Sequence, residues 1–184
     1  MGTPFRPLET FLESPALRVL LLIGPEGDFT PAEVEAARQA GAQAFLDKLD
    51  NLERHARLLT GRKDTERPDA LQNIAETVSF IESDLWSHFK QEEEQVYSVL
   101  KQILPPNRRR SVTAMEKDHQ KVGALVGEIR GFLRESRNAK ASSPAPDSQT
   151  PEVCLRMACL RLVRIMRKHI TKENLIYQEL GETP

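Results

Sequence analysis

Residues 151–180 read PEVCLRMACLRLVRIMRKHITKENLIYQEL, and the reading of this stretch decides the fold. Pro151 suits the first position of a helix, where its missing N–H would have had no partner. Apolar residues at Leu155, Leu162, Ile165, Leu175 and Ile176 recur with a helical period, and His169 falls among them with Glu173 one turn later. An i, i+4 pair projects from one helix face, so both side chains can reach a single ion. The same spacing occurs at His88 and Glu92 in SHFKQEEEQVY, and His119 stands alone in MEKDHQKVGAL. The chain has four histidines, and three of them fall into this pattern. One His–Glu pair on a charged helix is common by chance as a solvated face. Two such pairs and a lone histidine, each on its own long amphipathic helix, point instead to a metal site.

Working outward, Phe45, Leu49, Leu52, Ala56 and Leu59 alternate spacings of four and three, which predicts a first helix ending near Gly61. Residues 68 to 104 read as a second helix, with Leu71, Ile74, Val78, Ile81, Leu85, His88, Glu92, Val96, Val99 and Ile103 on one stripe, stopped by Pro105 and Pro106. A third helix is expected from about Asn107 to Ala139, carrying Val112, Met115, His119, Val122, Val126, Ile129 and Leu133. ASSPAPDSQTP reads as a flexible connection before the fourth helix. The expected fold is all-α, an up-down-up-down four-helix bundle. Heights along it test the pattern. His88 lies about 22 Å, and His119 about 18 Å, from the turn joining their two helices. His119 and His169 lie about 30 and 27 Å from the next connection, so the three histidines share one level.

A chain of 184 residues is one domain, or one with an appendage. Charged residues make up 29%, aromatics 5%, and the net charge is −1, which suits a helical bundle and gives no broad basic surface for nucleic acid. The longest apolar run, Ala16 to Ile23, is too short to span a bilayer, and no export signal is evident. Cys154 and Cys159 face different directions on one helix and read as reduced thiols. A cytoplasmic location is expected.

The N-terminal region reads differently. LRVLLLIG is a short apolar run with the character of a buried strand; GPEGD is a turn, and Thr30, Pro31 and Glu33 open a helix with a capping box. This strand-turn-helix arm could receive an anionic ligand on its free backbone N–H groups. LLLIGPEGDFTPAEVEAARQAGA resembles the second conserved motif of the bacterial 16S rRNA uridine-N3 methyltransferases of the knotted SPOUT class, over residues 8 to 43. The resemblance implies that Gly24 and Gly27 match backbone contacts to S-adenosylmethionine. Asp28 stands where that family more often has glycine, and the family's next strand and its Leu-, Gly- and Arg-rich motif do not follow. Residues 1–43 therefore read as a methyltransferase-like fragment, with S-adenosylmethionine not expected as a cofactor, and residues 44–184 as the bundle.

HFKQEEEQVY, EKDH and HITKENLIYQEL resemble the metal-binding helices of the hemerythrin-like, HHE cation-binding family over residues 45 to 180. That resemblance implies two non-haem irons inside the bundle, with His88, His119 and His169 as terminal ligands and Glu92 and Glu173 as bridges. It also implies metal ions and a small diatomic ligand as partners, in oxygen, redox or iron and nitric-oxide-stress handling. In the family the first helix supplies a further histidine. His55 is about 9 Å from the loop after the first helix, whereas His88 is about 30 Å from it, so His55 is at the wrong height. Stepping the stripe back from Leu49 and Phe45 lands on Ala42, which cannot bind metal. The expected ligand set is three histidines and two glutamates. Two rival readings are a remnant of an S-adenosylmethionine-dependent rRNA methyltransferase and a metal-free helical interaction module.

An N-terminal strand without partner strands contributes little to a helical bundle. A truncation lacking residues 1–29 should keep the helicity and melting temperature of the full chain; a large drop in melting temperature would show that the arm packs on the bundle.

Overall fold

The computed structural model describes residues 31–59, 66–138 and 150–181, with side chains described from residue 43 to residue 176 of these. The strand expected at residues 17 to 24, Gly24, Gly27 and Gly61 lie outside the described residues. What is described is helical throughout, with no strand. Helix α1 spans Pro31–Leu58 and runs unbroken through Gly41 and across position 43. Helix α2 is built from consecutive pieces, Arg67–Phe80, Ile81–Leu85, Trp86–Gln91, Glu92–Val96 and Tyr97–Ile103. Helix α3 spans Pro106–Asn138 and α4 spans Pro151–Gly181.

Local chemistry sets the ends. Leu104 precedes Pro105, whose ring forces it out of the helical region, and it sits extended at φ −75° and ψ 149°. The guanidinium of Arg109 donates to the Leu104 carbonyl at 2.7 Å, closing the exposed end of α2. Thr150 accepts from the Val153 N–H through its hydroxyl at 3.4 Å, and Pro151 occupies the first turn of α4.

Helix α1 packs against α2 and α4, and α3 packs against the same two helices. The larger apolar cluster includes Leu49, Leu52, Ile74, Ile81, Val122, Ile129, Leu155 and Leu162, all almost without exposed surface. A smaller cluster of Tyr97, Leu100, Leu104, Val112, Met115 and Ile176 lies toward the turn between α2 and α3. Truncating a fully buried leucine such as Leu162 to alanine costs about 2–5 kcal/mol, so the burial of these stripes dominates the packing energy. Ion pairs on the rim add less. Arg67 bonds Glu152 and the Ser136 carbonyl, Arg130 bonds Glu82, and Arg167 bonds Asp50 at 2.7 Å and Glu53 at 2.8 Å. Such exposed pairs are worth about 1 kcal/mol or less each.

Two stripes depart from the periodicity read in the sequence. On α2 the buried residues beyond Glu92 are Tyr97, Leu100 and Leu104, not Val96, Val99 and Ile103; Val99 is 51% and Ile103 61% exposed. The cause is a π turn at Glu92–Val96, in which the Tyr97 N–H reaches back five residues to the Glu92 carbonyl. One extra residue in that turn advances the buried face by one position for the rest of the helix. A second π turn lies at Ile81–Leu85, closed by the Trp86 N–H on the Ile81 carbonyl. On α4 the buried line is Leu155, Cys159, Leu162, Met166, His169 and Ile176, with Glu173 half-buried between the last two; Leu175 faces outward at 48% exposure.

Because the π turn holds one residue more than an α turn, deleting the exposed Gln95 returns Tyr97, Leu100 and Leu104 to ordinary α spacing from Glu92. The deletion should keep cooperative unfolding, with a melting temperature within about 5 °C of the parent. Deleting the equally exposed Glu128 from the regular α3 should abolish it, because Ile129 and Leu133 rotate out of the core. Equal damage from both deletions would refute the π-turn account of the register.

Candidate metal centre

Between the two apolar clusters lies one polar layer. Helix α2 contributes His88 and Glu92, α3 contributes His119, and α4 contributes His169 and Glu173. His88, Glu92, His119 and His169 are buried among apolar neighbours, with Glu92 fully sealed. The structure thus brings together all five residues singled out in the sequence, in two overlapping groups. One is Glu92, His119 and His169; the other is His88, Glu92 and Glu173; in each, the potential donor atoms lie within 4.8 Å of one another. Glu92 belongs to both.

The distances define the centre. Glu92 Oε2 lies 3.6 Å from His88 Nε2 and 3.3 Å from His119 Nε2, and His119 Nε2 lies 3.4 Å from His169 Nε2. The Nε2 edges of His119 and His169 therefore converge. His119 is oriented from its other side, where its Nδ1 lies 2.8 Å from Glu93 Oε1. A proton on Nδ1 donated to that carboxylate leaves the Nε2 lone pair facing the centre. The His119 ring is further held by stacking on Phe89, with centroids 3.7 Å apart and planes within 11°, and by the Tyr97 ring on 5.6 Å.

Three buried polar atoms here lack any hydrogen-bond partner among the described residues: Glu92 Oε1, His88 Nδ1 and His169 Nδ1. A buried carboxylate oxygen left unsatisfied costs several kcal/mol. The electrostatics agree with a site built for neutral imidazoles and an ionised carboxylate. Burial pushes His88 below its ordinary value, against the opposing pull of Glu92. Burial pushes His169 down to about 4. Burial raises Glu92, but its close approach to the His119 ring and to the nearby His88 and His169 rings overcomes this, so its carboxyl is held below the usual range. These are the protonation states in which imidazole and carboxylate act as metal donors. The donor set of imidazole nitrogens and carboxylate oxygens fits iron, with manganese and zinc as chemically related occupants.

Asp118, next to His119 in the chain, is buried and bonded by Lys172 and, at 3.0 Å, by Lys121. Burial raises its carboxyl, and the two ammonium groups more than reverse this, so it stays ionised as a tie between α3 and α4. His55 is not in the cluster. Burial lowers its pKa, helped by Arg54 and opposed by Asp69, whose position in the first turn of α2 puts His55 at the opposite end of the molecule. Ala42 lies on α1 with its side chain outside the described residues. Neither Cys154 nor Cys159 is in a disulfide, and burial pushes the Cys159 thiol up to about 12, which keeps it an inert core group.

Sequence reasoning missed Tyr97, Glu93 and Phe89. Tyr97 has no exposed surface, and its hydroxyl donates to Glu92 Oε2 at 3.1 Å and lies 3.3 Å from His119 Nε2. Five residues from Glu92, it would face away on a regular helix; only the π turn brings it inside. No periodicity signal in the sequence could have revealed it.

The direction of the His169 shift sets a pH dependence for the metal-free protein. A histidine whose folded pKa lies below its unfolded value is protonated more readily in the unfolded chain, so stability is full above about pH 6.5 and falls as the pH drops toward 4. The fall attributable to His169 is about 3 kcal/mol, and the lowered Glu92 adds loss at the acid end of the window. Urea unfolding of metal-stripped protein across this range should show that slope; flat stability from pH 7 to 4.5 would mean His169 is not sealed from solvent.

Comparison with known protein families agrees with this geometry. Residues 2–46 match an RNA methyltransferase domain, and residues 40–180 match the hemerythrin HHE cation binding domain. The two matches meet inside α1, so their junction falls within a continuous helix. No significant match was found among curated proteins or among solved structures. The second match spans most of the chain and contains every residue of the polar layer: the chain belongs to the hemerythrin HHE cation-binding family.

Proposed function

We propose that this protein binds non-haem iron at the buried layer of α2, α3 and α4, with His88, Glu92, His119, His169 and Glu173 as its ligands. The single observation that carries the reading is Glu92. It is a fully buried carboxylate shared by two donor groups, with one oxygen accepting from Tyr97 and the other lacking a partner among the described residues. A carboxylate placed this way suits a bridge between two adjacent ions, with His119 and His169 on one side and His88 and Glu173 on the other. The up-down-up-down order of the four helices is part of the same reading, since it brings histidines from α2, α3 and α4 to one level. Residues 1–43 are taken as a methyltransferase-like fragment joined to the bundle through α1, with residues 44–184 forming the metal-binding unit.

Bound iron would supply one-electron redox chemistry and affinity for a small diatomic ligand, which fits oxygen, redox or nitric-oxide-stress handling. The chain's own part is to hold neutral imidazoles, to cover the His119 and His169 rings with Phe89, and to fix His119 through Glu93. Among the described residues no helix is long and apolar enough to cross a membrane. Metal analysis of protein purified without chelators tests the reading directly: one or two irons per chain support it. His88→Ala and Glu173→Ala should each lose metal, whereas His55→Ala should keep the parent's content. Wild-type metal content in either of the first two variants, or loss in the third, would remove these ligand assignments.

A further inference from the structure

The π turn delivers one more oxygen to the centre than the histidine and glutamate pattern calls for. Tyr97 Oη, Glu92 Oε2 and His119 Nε2 form a nearly equilateral triangle with sides of 3.1, 3.3 and 3.3 Å. Two donors about 2.1 Å from one ion stand about 3.0 Å apart at right angles and about 3.4 Å apart at the tetrahedral angle. All three sides fall between those limits, so a single point lies within bonding distance of all three atoms. His169 Nε2, 3.4 Å from His119 Nε2, extends the same set.

We propose that Tyr97 is itself a metal ligand, its phenolate oxygen completing the coordination shell that Glu92, His119 and His169 begin. The inference rests on the metal-binding reading above and goes beyond it. The helix spends a π turn to bury this phenol, at a position where regular α geometry would leave it outside. The fourth histidine of the chain, His55, is at the other end of the bundle and cannot fill the position. Phenolate is a hard oxygen donor suited to ferric iron. On coordination the phenol O–H bond breaks, its proton passes to solvent, and an oxygen lone pair forms the bond to iron; no electron changes hands.

A ferric phenolate absorbs visible light by charge transfer and gives resonance-enhanced ring modes, neither of which a phenol hydrogen-bonded to Glu92 produces. The test loads the full chain with ferric iron alone and records iron content, visible absorption and resonance Raman spectra together. The chain has only two tyrosines, so Tyr177→Phe is the control for Tyr97→Phe. The expected result is iron bound in the parent with a charge-transfer band, kept in Tyr177→Phe and lost in Tyr97→Phe. If Tyr97→Phe does not fold, ring-deuterated tyrosine in the Tyr177→Phe background assigns the band, because Tyr97 is then the sole tyrosine. Iron bound with no phenolate band, or a band abolished by Tyr177→Phe alone, overturns the ligand assignment and leaves the metal reading standing. Failure of the parent to bind iron overturns both.

Discussion

Glu92 lies fully buried in the interior of a helical protein, with three histidines and a tyrosine around it and one oxygen lacking a partner among the described residues. An ionised carboxylate in such surroundings is tolerable only when neighbours compensate its lost hydration. Here the compensation comes from two helices at once, through Nε2 of His88 and the hydroxyl of Tyr97 on α2 and Nε2 of His119 on α3. The relative height of those helices is therefore constrained by polar geometry as well as by apolar packing. Below this layer the large apolar cluster supplies most of the stability, and above it the small cluster closes the site toward the turn between α2 and α3.

The irregularities in the fold gather where the chemistry is. Both π turns lie on α2, and the second begins at Glu92 itself. A π turn gives up ideal hydrogen-bond geometry and is retained where a side chain must be re-aimed. The one at Glu92–Val96 turns Tyr97 inward onto His119 and at the same time moves Val99 and Ile103 to the surface. Helix α3 carries His119 on a regular helix, and its imidazole is instead aimed by three different contacts: Glu93 at Nδ1, Phe89 on one ring face and Tyr97 nearby. All three come from α2, so α2 both contributes ligand candidates and orients the one on α3.

Much of this was legible in the chain. Helical spacing in Phe45, Leu49, Leu52, Ala56 and Leu59, and in Val112 through Leu133, marks core faces that are buried as read. The His–Glu pairs at 88/92 and 169/173 and the lone His119 could be grouped because rise per residue converts sequence distance into height. The same arithmetic excluded His55, whose neighbour Asp69 opens the second helix.

What the amino-acid order determined by itself was the helical class, the stripe of each helix up to the polar layer, and which five residues meet there. Those features depend on local periodicity and on lengths, both of which are properties of a single chain segment. The tertiary structure alone decided the rest: the register of α2 beyond Glu92, the burial of Tyr97, and the pairing of Glu93 with His119 Nδ1. A π turn is one residue's departure from the α period, chosen because packing and hydrogen bonding with α3 favour it. No pattern within α2 distinguishes Val96, Val99 and Ile103 from Tyr97, Leu100 and Leu104 as the inward face; only the partner helix does.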